Sequence, residues 1–335
     1  MNHSRKSIAT FAILVIILLC GSISAGAESP SFTDKYCFSL SSSIGFLYGT
    51  SYEIAYQGSG NNNYLSELQW EIKPFIYLGL NLDFGLIKPS DDYGFFIGLG
   101  LKVAIPMETG IMEDRDWIEP CTKPGSLTNF SSHENHTKAS FLVNLETGYS
   151  IPVWKLILRL FLNFDYMYFS FEGRNGYTQH GPNDPNDESA FPLKPWDSAF
   201  GQIPWNGLAI SYTQHWLLFN AGIEAVFPIN KFTLSAGFFI GPSICFAADH
   251  HKGGYTFIDT LYKGLAIKPK LNVFFSLSDK CDIGITTAYH HIFETRGDTT
   301  QKIGSYTVQQ SMDQAGAAFK AFEGSFVVRY RFIKK

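Results

Sequence analysis

The sequence predicts an all-β fold, a ten-stranded antiparallel transmembrane β-barrel with five long extracellular loops. Three observations carry this: an export signal opens the chain, alternation of period two recurs along it, and it is rich in aromatics and glycine without a helix-length apolar run. The signal spans residues 1–27. Arg5 and Lys6 make its start positive, Ile8 to Leu19 is an apolar run too short to cross a bilayer, and Ala25-Gly26-Ala27 offers small residues for cleavage. Cys20 as a lipidated N-terminus competes with this, but Leu19 stands before it, where lipoprotein signals place a small residue. Removing the signal takes away Arg5 and Lys6 and no acid, so the formal charge moves from −4 to −6. The mature chain, 28–335, is mildly acidic and has no basic run, which argues against a nucleic-acid partner.

Composition narrows the class further. Beyond the signal no stretch reaches 18 continuous apolar residues, which excludes a helical membrane protein. Yet the chain holds 30 Phe, 17 Tyr and 30 Gly, a balance suited to a sheet with lipid on one face and water on the other. Cys37, Cys121, Cys245 and Cys281 remain after cleavage. An exported chain meets oxidising conditions, which leaves one or two disulfides open; none of the four has metal-ligand spacing, and the favoured reading is that they are isolated or structural.

Alternation identifies the strands. Phe322, Gly324, Phe326, Val328, Tyr330 and Phe332 share one face of the last strand, against Glu323, Ser325, Val327, Arg329 and Arg331. Leu68, Trp70, Ile72, Ile76, Leu78, Leu80, Leu82 and Phe84 form a longer apolar row against Glu67, Gln69, Glu71, Lys73, Asn81 and Asp83. Leu156, Leu158, Leu160, Leu162 and Phe164 oppose Arg159, Asn163 and Asp165. Short connections are expected near 88–93, 151–155, 228–231 and 278–281, marked by Pro89-Ser90-Asp91-Asp92 and Asn230-Lys231. Long polar ones are expected near 57–64, 106–137, 173–207, 250–264 and 296–320. Nine connections join ten strands, which puts both termini on the periplasmic side. A membrane strand needs only ~9–11 residues, so the row from 67 to 84 predicts a barrel that projects beyond the bilayer.

Two clusters of polar residues at spacing two lie at loop bases. In Glu113-Asp114-Arg115-Asp116-Trp117, Asp114 and Asp116 point the same way if the third strand reaches that far. In Ala248-Asp249-His250-His251, closing the seventh strand, Asp249 and His251 share a face and His250 points oppositely. In a ten-stranded barrel roughly 20 Å across, the two clusters can approach over the mouth and hold a water. The plainer reading is of solvated acids and a fortuitous His pair. His290-His291 is read as barrel wall.

Asp114-Arg115-Asp116-Trp117, then Pro124-Gly125-Ser126-Leu127-Thr128-Asn129 and Ser132-His133, resemble the omptin family of outer-membrane endopeptidases. Asp249-His250-His251 is similar to that family's Asp-x-His, Ser66-Glu67-Leu68-Gln69-Trp70 to its second strand, and Ala209 to Gln214 to another strand. The resemblance implies a ten-stranded barrel in the outer membrane with an extracellular active site. It implies a water between Asp114 and His251 as nucleophile, with His251 as general base, Asp249 orienting it, and Asp114 and Asp116 sharing a proton. Glu53 would bind substrate. No cofactor or metal is called for, the partners are a surface peptide or protein and outer-membrane lipid, and the barrel is expected to be a monomer.

Three departures bear on specificity. Ala247 stands where the family has an acid that joins the equivalent of Glu53 around a basic side chain, so a weaker preference for Arg or Lys is expected. Asn129 replaces an Asp. Phe164-Asp165-Tyr166-Met167-Tyr168 replaces the family's outward Tyr-Gln-Glu-Ser-Arg, which helps bind lipopolysaccharide. A barrel of the same descent serving as an adhesin or structural surface protein is the alternative. A porin is disfavoured, because side chains largely fill so narrow a lumen.

Overall fold

The computed structural model describes residues 37–87, 94–180 and 192–332. The expected signal, the turn expected at Pro89–Asp92 and residues 181–191 of the third long connection lie outside the described residues. The strands are β1 (Cys37–Tyr56), β2 (Tyr64–Ile87), β3 (Gly94–Ala104), β4 (Met107–Asp116), β5 (Asn129–Thr137), β6 (Phe141–Val153), β7 (Leu156–His180), β8 (Ile203–Pro204), β9 (Leu208–Ile229), β10 (Phe232–His251), β11 (Tyr255–Ser278), β12 (Cys281–Ile303) and β13 (Tyr306–Phe332).

Two of the ten walls are broken in mid-course. β3 and β4 both pair with β2 and are interrupted by Ile105-Pro106, where proline removes a ladder donor. β5 and β6 both pair with β7 and are interrupted at 138–140. Backbone hydrogen bonds carry the ladder across both breaks, from Ile105 N to Ile76 O (2.9 Å) and from Lys138 N to Ser170 O (2.9 Å). With each broken pair counted as one wall and the short β8 appended to β7, ten antiparallel walls close where β1 meets β13, from Phe38 opposite Phe332 to Ala55 opposite Ala315. Among the described residues closure leaves no wall without two neighbours, the condition for crossing a bilayer with strands.

The near turns are as short as expected. Trp154-Lys155 and Asn230-Lys231 each connect two strands directly, with Trp154 and Asn230 in the left-handed region (φ 57° and 54°). The far side differs from the sequence reading. The segments 250–264 and 296–320 are strand almost throughout, and their connections shrink to Lys252-Gly253-Gly254 and Gly304-Ser305. Likewise β4 and β5 take up most of 106–137, leaving 117–128 as the connection. Polar composition misled here because these strands stand outside the bilayer, where both faces can meet water. The two described parts of the second and third connections dock on each other through Thr122 N to Leu193 O (2.7 Å) and Leu193 N to Pro120 O (3.0 Å).

The barrel interior has two regimes. Near the termini the wall faces outward with Ile44, Phe46, Leu80, Leu82, Leu160, Leu162, Phe326 and their like, while the lumen is ionic. There Glu323 accepts from Lys102, Tyr77 and His290, and Asp282 pairs with Arg329 (2.9 Å) and Arg331 (2.6 Å). Toward the far end the lumen turns aromatic. Trp70 stacks between Tyr212 (5.6 Å) and Phe171 (5.7 Å), and Phe169 joins Phe171 to Phe319 (5.1 Å).

β2 feeds both regimes, which corrects the single apolar row read from its sequence. Gly49 pairs with Ile72 but Leu47 with Phe75, so a bulge at Lys73-Pro74 reverses the pleat. Leu68, Trp70 and Ile72 point into the plug, whereas Leu78, Leu80, Leu82 and Phe84 point outward.

Candidate active site

The aromatic plug forms the floor of a groove at the end of the barrel opposite the termini. Gln214 braces it, accepting from Ser51 (2.5 Å) and Trp216 Nε1 (3.2 Å) and donating to Tyr212 Oη (2.9 Å). Above this floor the five residues singled out in the sequence come together. β4 does reach Asp116, so Asp114 and Asp116 face inward in register with Leu68 and Ser66 of β2. β10 ends at His251, and Asp249 and His251 face inward as a pair, Nε2 to Oδ2 2.6 Å. His250 points away and meets Thr256 Oγ1 at 2.9 Å. Glu53 enters from β1, opposite Leu68.

Burial and mutual repulsion set the protonation of the group. Burial, then Asp116 and Asp249, push the Asp114 carboxyl well above the usual range, while His251 and a 3.3 Å hydrogen bond from Ser66 pull the other way. Asp116 is raised by burial and relieved by hydrogen bonds from Ser66 and Asn129. Asn129 is thus a coherent departure, because an amide can donate to Asp116 where a carboxylate would repel it. Burial opposes a charge on His251, but the hydrogen bond to Asp249 and the field of Asp249, Asp114 and Asp116 outweigh it, so its pKa is raised. Glu53 is driven well up by burial and by Asp249, Asp259 and Asp114.

Such a constellation has the parts of a water-activating site. An imidazole is oriented by a buried carboxylate, and two further acids stand across a groove within its electrostatic reach. A family model, the Omptin family, matches residues 34–332. The chain belongs to the Omptin family. Among solved structures, the outer membrane protease OmpT from Escherichia coli aligns with this omptin at a TM-score of 0.78 and 18% identity, covering 91% of this chain and 99% of that one. The outer membrane protein OprG from Pseudomonas aeruginosa (TM-score 0.39, 9% identity, 90% and 98% covered) and the translocator domain of the autotransporter NalP from Neisseria meningitidis (0.37, 10%, 99% and 98%) align less well. Curated protein sequences give no match. Family and closed barrel together make this an outer-membrane protein.

The remaining sequence candidates fall outside the groove. His290 is a wall residue bonded to Glu323 (2.8 Å), and His291 stacks outward on Phe293 (4.2 Å). His133, quoted in the family resemblance, is buried, bonded to the Asn175 carbonyl and edge-on to Trp205. Cys37, Cys121, Cys245 and Cys281 are free thiols. Asp165 and Met167 point into the lumen, leaving Phe164, Tyr166 and Tyr168 on the outer face, with Tyr166 Oη 2.8 Å from His215 Nδ1.

One acid of the groove had no signal in the sequence. Asp259 of β11 lies directly opposite Ala247 and so shares its inward face. It sits in a segment whose composition reads as loop, and only the β10–β11 register brings it into the site.

Proposed function

We propose that this omptin is an outer-membrane endopeptidase whose groove faces the cell exterior and whose nucleophile is a water held between Asp114 and His251. The observation that carries the reading is the 2.6 Å Asp249–His251 pair facing Asp114 and Asp116 above a closed aromatic floor. His251 Nε2–H donates to the Asp249 carboxylate, which leaves Nδ1 as the ring nitrogen that takes the proton as the water attacks. Asp249 stabilises the resulting imidazolium. Asp114 and Asp116, too close for both to ionise readily, share one proton and hold the water's second hydrogen. The protonated couple can then donate to the oxygen of the tetrahedral intermediate, and imidazolium to the leaving amine. No serine or cysteine takes part, so the reaction is of aspartic type. The floor supports a groove that admits an extended peptide from outside and passes nothing through.

The test is a set of single variants of the refolded barrel assayed on a mixed peptide library. Asp114→Ala and His251→Ala lose cleavage while keeping the heat-dependent gel migration of a folded barrel, and His250→Ala retains it. Serine- and thiol-directed reagents leave activity intact. An essential His250 with a dispensable His251, or inhibition through a serine or cysteine, refutes the assignment.

A further inference from the structure

Asp249, Asp259 and Glu53 are 1%, 4% and 7% exposed, and the strongest charges acting on Glu53 are all carboxylates. Oδ1 of Asp259, Oε2 of Glu53 and Oδ1 of Asp249 have no hydrogen-bond partner among the described residues. Of the three, only Asp249 has a basic partner among the described residues, His251, and the Glu53 carboxyl meets not a cation but the Asp249 carboxyl, with which it is in hydrogen-bonding contact. Thr299, opposite Asp259 on β12, satisfies part of the Asp259 carboxyl and leaves the other oxygen unmatched. Buried acids without partners are costly, and in a cleft they mark a place where a ligand completes the pairing.

The two strands explain how the charge got there. Residues directly opposite on antiparallel strands have Cβ atoms only about 4.5–5.5 Å apart. Alanine at 247 therefore leaves space on β10 into which the Asp259 carboxylate can lean from β11. The lining carries acids on two sides, Glu53 from β1 and Asp259 from β11, over the Tyr212 and Cys245 floor. Two carboxylates with free oxygens suit a guanidinium, whose planar fork donates to both, better than a neutral side chain.

We propose that Asp259 is a specificity-determining residue of this omptin and that, with Glu53, it receives a guanidinium or ammonium side chain of the substrate next to the scissile bond. The inference rests on the endopeptidase reading for its role in catalysis. It replaces the weaker basic preference expected from Ala247, because the missing carboxylate is supplied by the facing strand.

Peptides identical but for Arg, Lys or norleucine before the scissile bond are assayed on the full barrel, on Asp259→Asn and on the double variant Ala247→Asp/Asp259→Asn. The wild-type ratio of kcat/KM for Arg over norleucine is expected to fall on the order of 100-fold in Asp259→Asn, as when one partner of a buried charge pair is removed. The double variant, which returns the carboxylate from the opposite strand, is expected to recover most of it. A ratio unchanged in Asp259→Asn overturns the proposal. Binding of agmatine, a guanidinium probe, followed by titration calorimetry, is independent of cleavage. Tight binding that Asp259→Asn weakens at least about tenfold supports the site even in a barrel that cleaves nothing, an outcome that would fail the endopeptidase reading alone. Equal agmatine affinity in both proteins, or none in the wild type, overturns it. Asp259→Ala serves the same comparison should the Asn variant not fold.

Discussion

His251 and Asp259 show how single residues in this groove depart from their ordinary chemistry. The acids around His251 keep it protonated beyond its usual range, above 6.5, so a mechanism that needs the neutral imidazole starts only as pH climbs. The kcat/KM of the refolded barrel should therefore rise with pH with a midpoint above 6.5, and a plateau already reached at pH 6 would contradict His251 as base. Asp259 has the opposite consequence for stability. Burial and Asp249 lift its carboxyl from 3.8 to about 7, so the folded state holds a proton that the unfolded chain releases earlier. Its stabilising contribution is full below about pH 4 and is lost as pH rises through about 7, an effect of the order of 4 kcal/mol. Asp259→Asn should flatten that slope in thermal unfolding measured in detergent between pH 4 and 8. A slope unchanged in the variant would show that the acid is not held protonated.

At the scale of elements, β2 and β11 are the instructive strands. β2 crosses both regimes, and the bulge at Lys73-Pro74 lets one strand give aliphatic residues to lipid and Leu68, Trp70 and Ile72 to the plug. The plug is what converts a tube into a floor. Trp70→Ala removes the ring stacked between Tyr212 and Phe171 and should cost about 3–5 kcal/mol, read as a lower denaturation midpoint in urea. It should also lower proteolysis by unseating Tyr212, with little change in overall strand content by circular dichroism. The first part of β11, up to residue 264, reads as a loop by composition, since Lys263, Gly264 and their neighbours alternate poorly. Pairing to β10 and β12 makes it a strand, and that pairing is what aims Asp259.

At the scale of the whole barrel, the outer face bears on lipid. Phe164, Tyr166 and Tyr168 point outward with Phe219 and His215 beside them, an aromatic belt rather than an ionic one. Activity of the refolded protein should not depend on lipopolysaccharide. A rise by orders of magnitude on adding purified lipopolysaccharide would show that another part of the face binds it.

The sequence by itself determined the all-β class, the ten-walled barrel, the inward pairing of Asp114 with Asp116 and of Asp249 with His251, and the outward turn of His250. The count of ten rests on the spacing of turns and connections along the chain, and the rest on a period of two inside one strand; both are local information. What only the tertiary structure decided is which residues meet across strands. The Lys73-Pro74 bulge reverses a face without changing the sequence pattern on either side of it, so the apolar row of β2 could not be divided in advance. The extent of β11 and β13 was hidden because strands standing above the bilayer lack the outward apolar rhythm that lipid imposes. Asp259 is the sharpest case. Its position twelve residues beyond Ala247 means nothing along the chain, and a single register between two strands sets it opposite that alanine, where the groove lacks a charge.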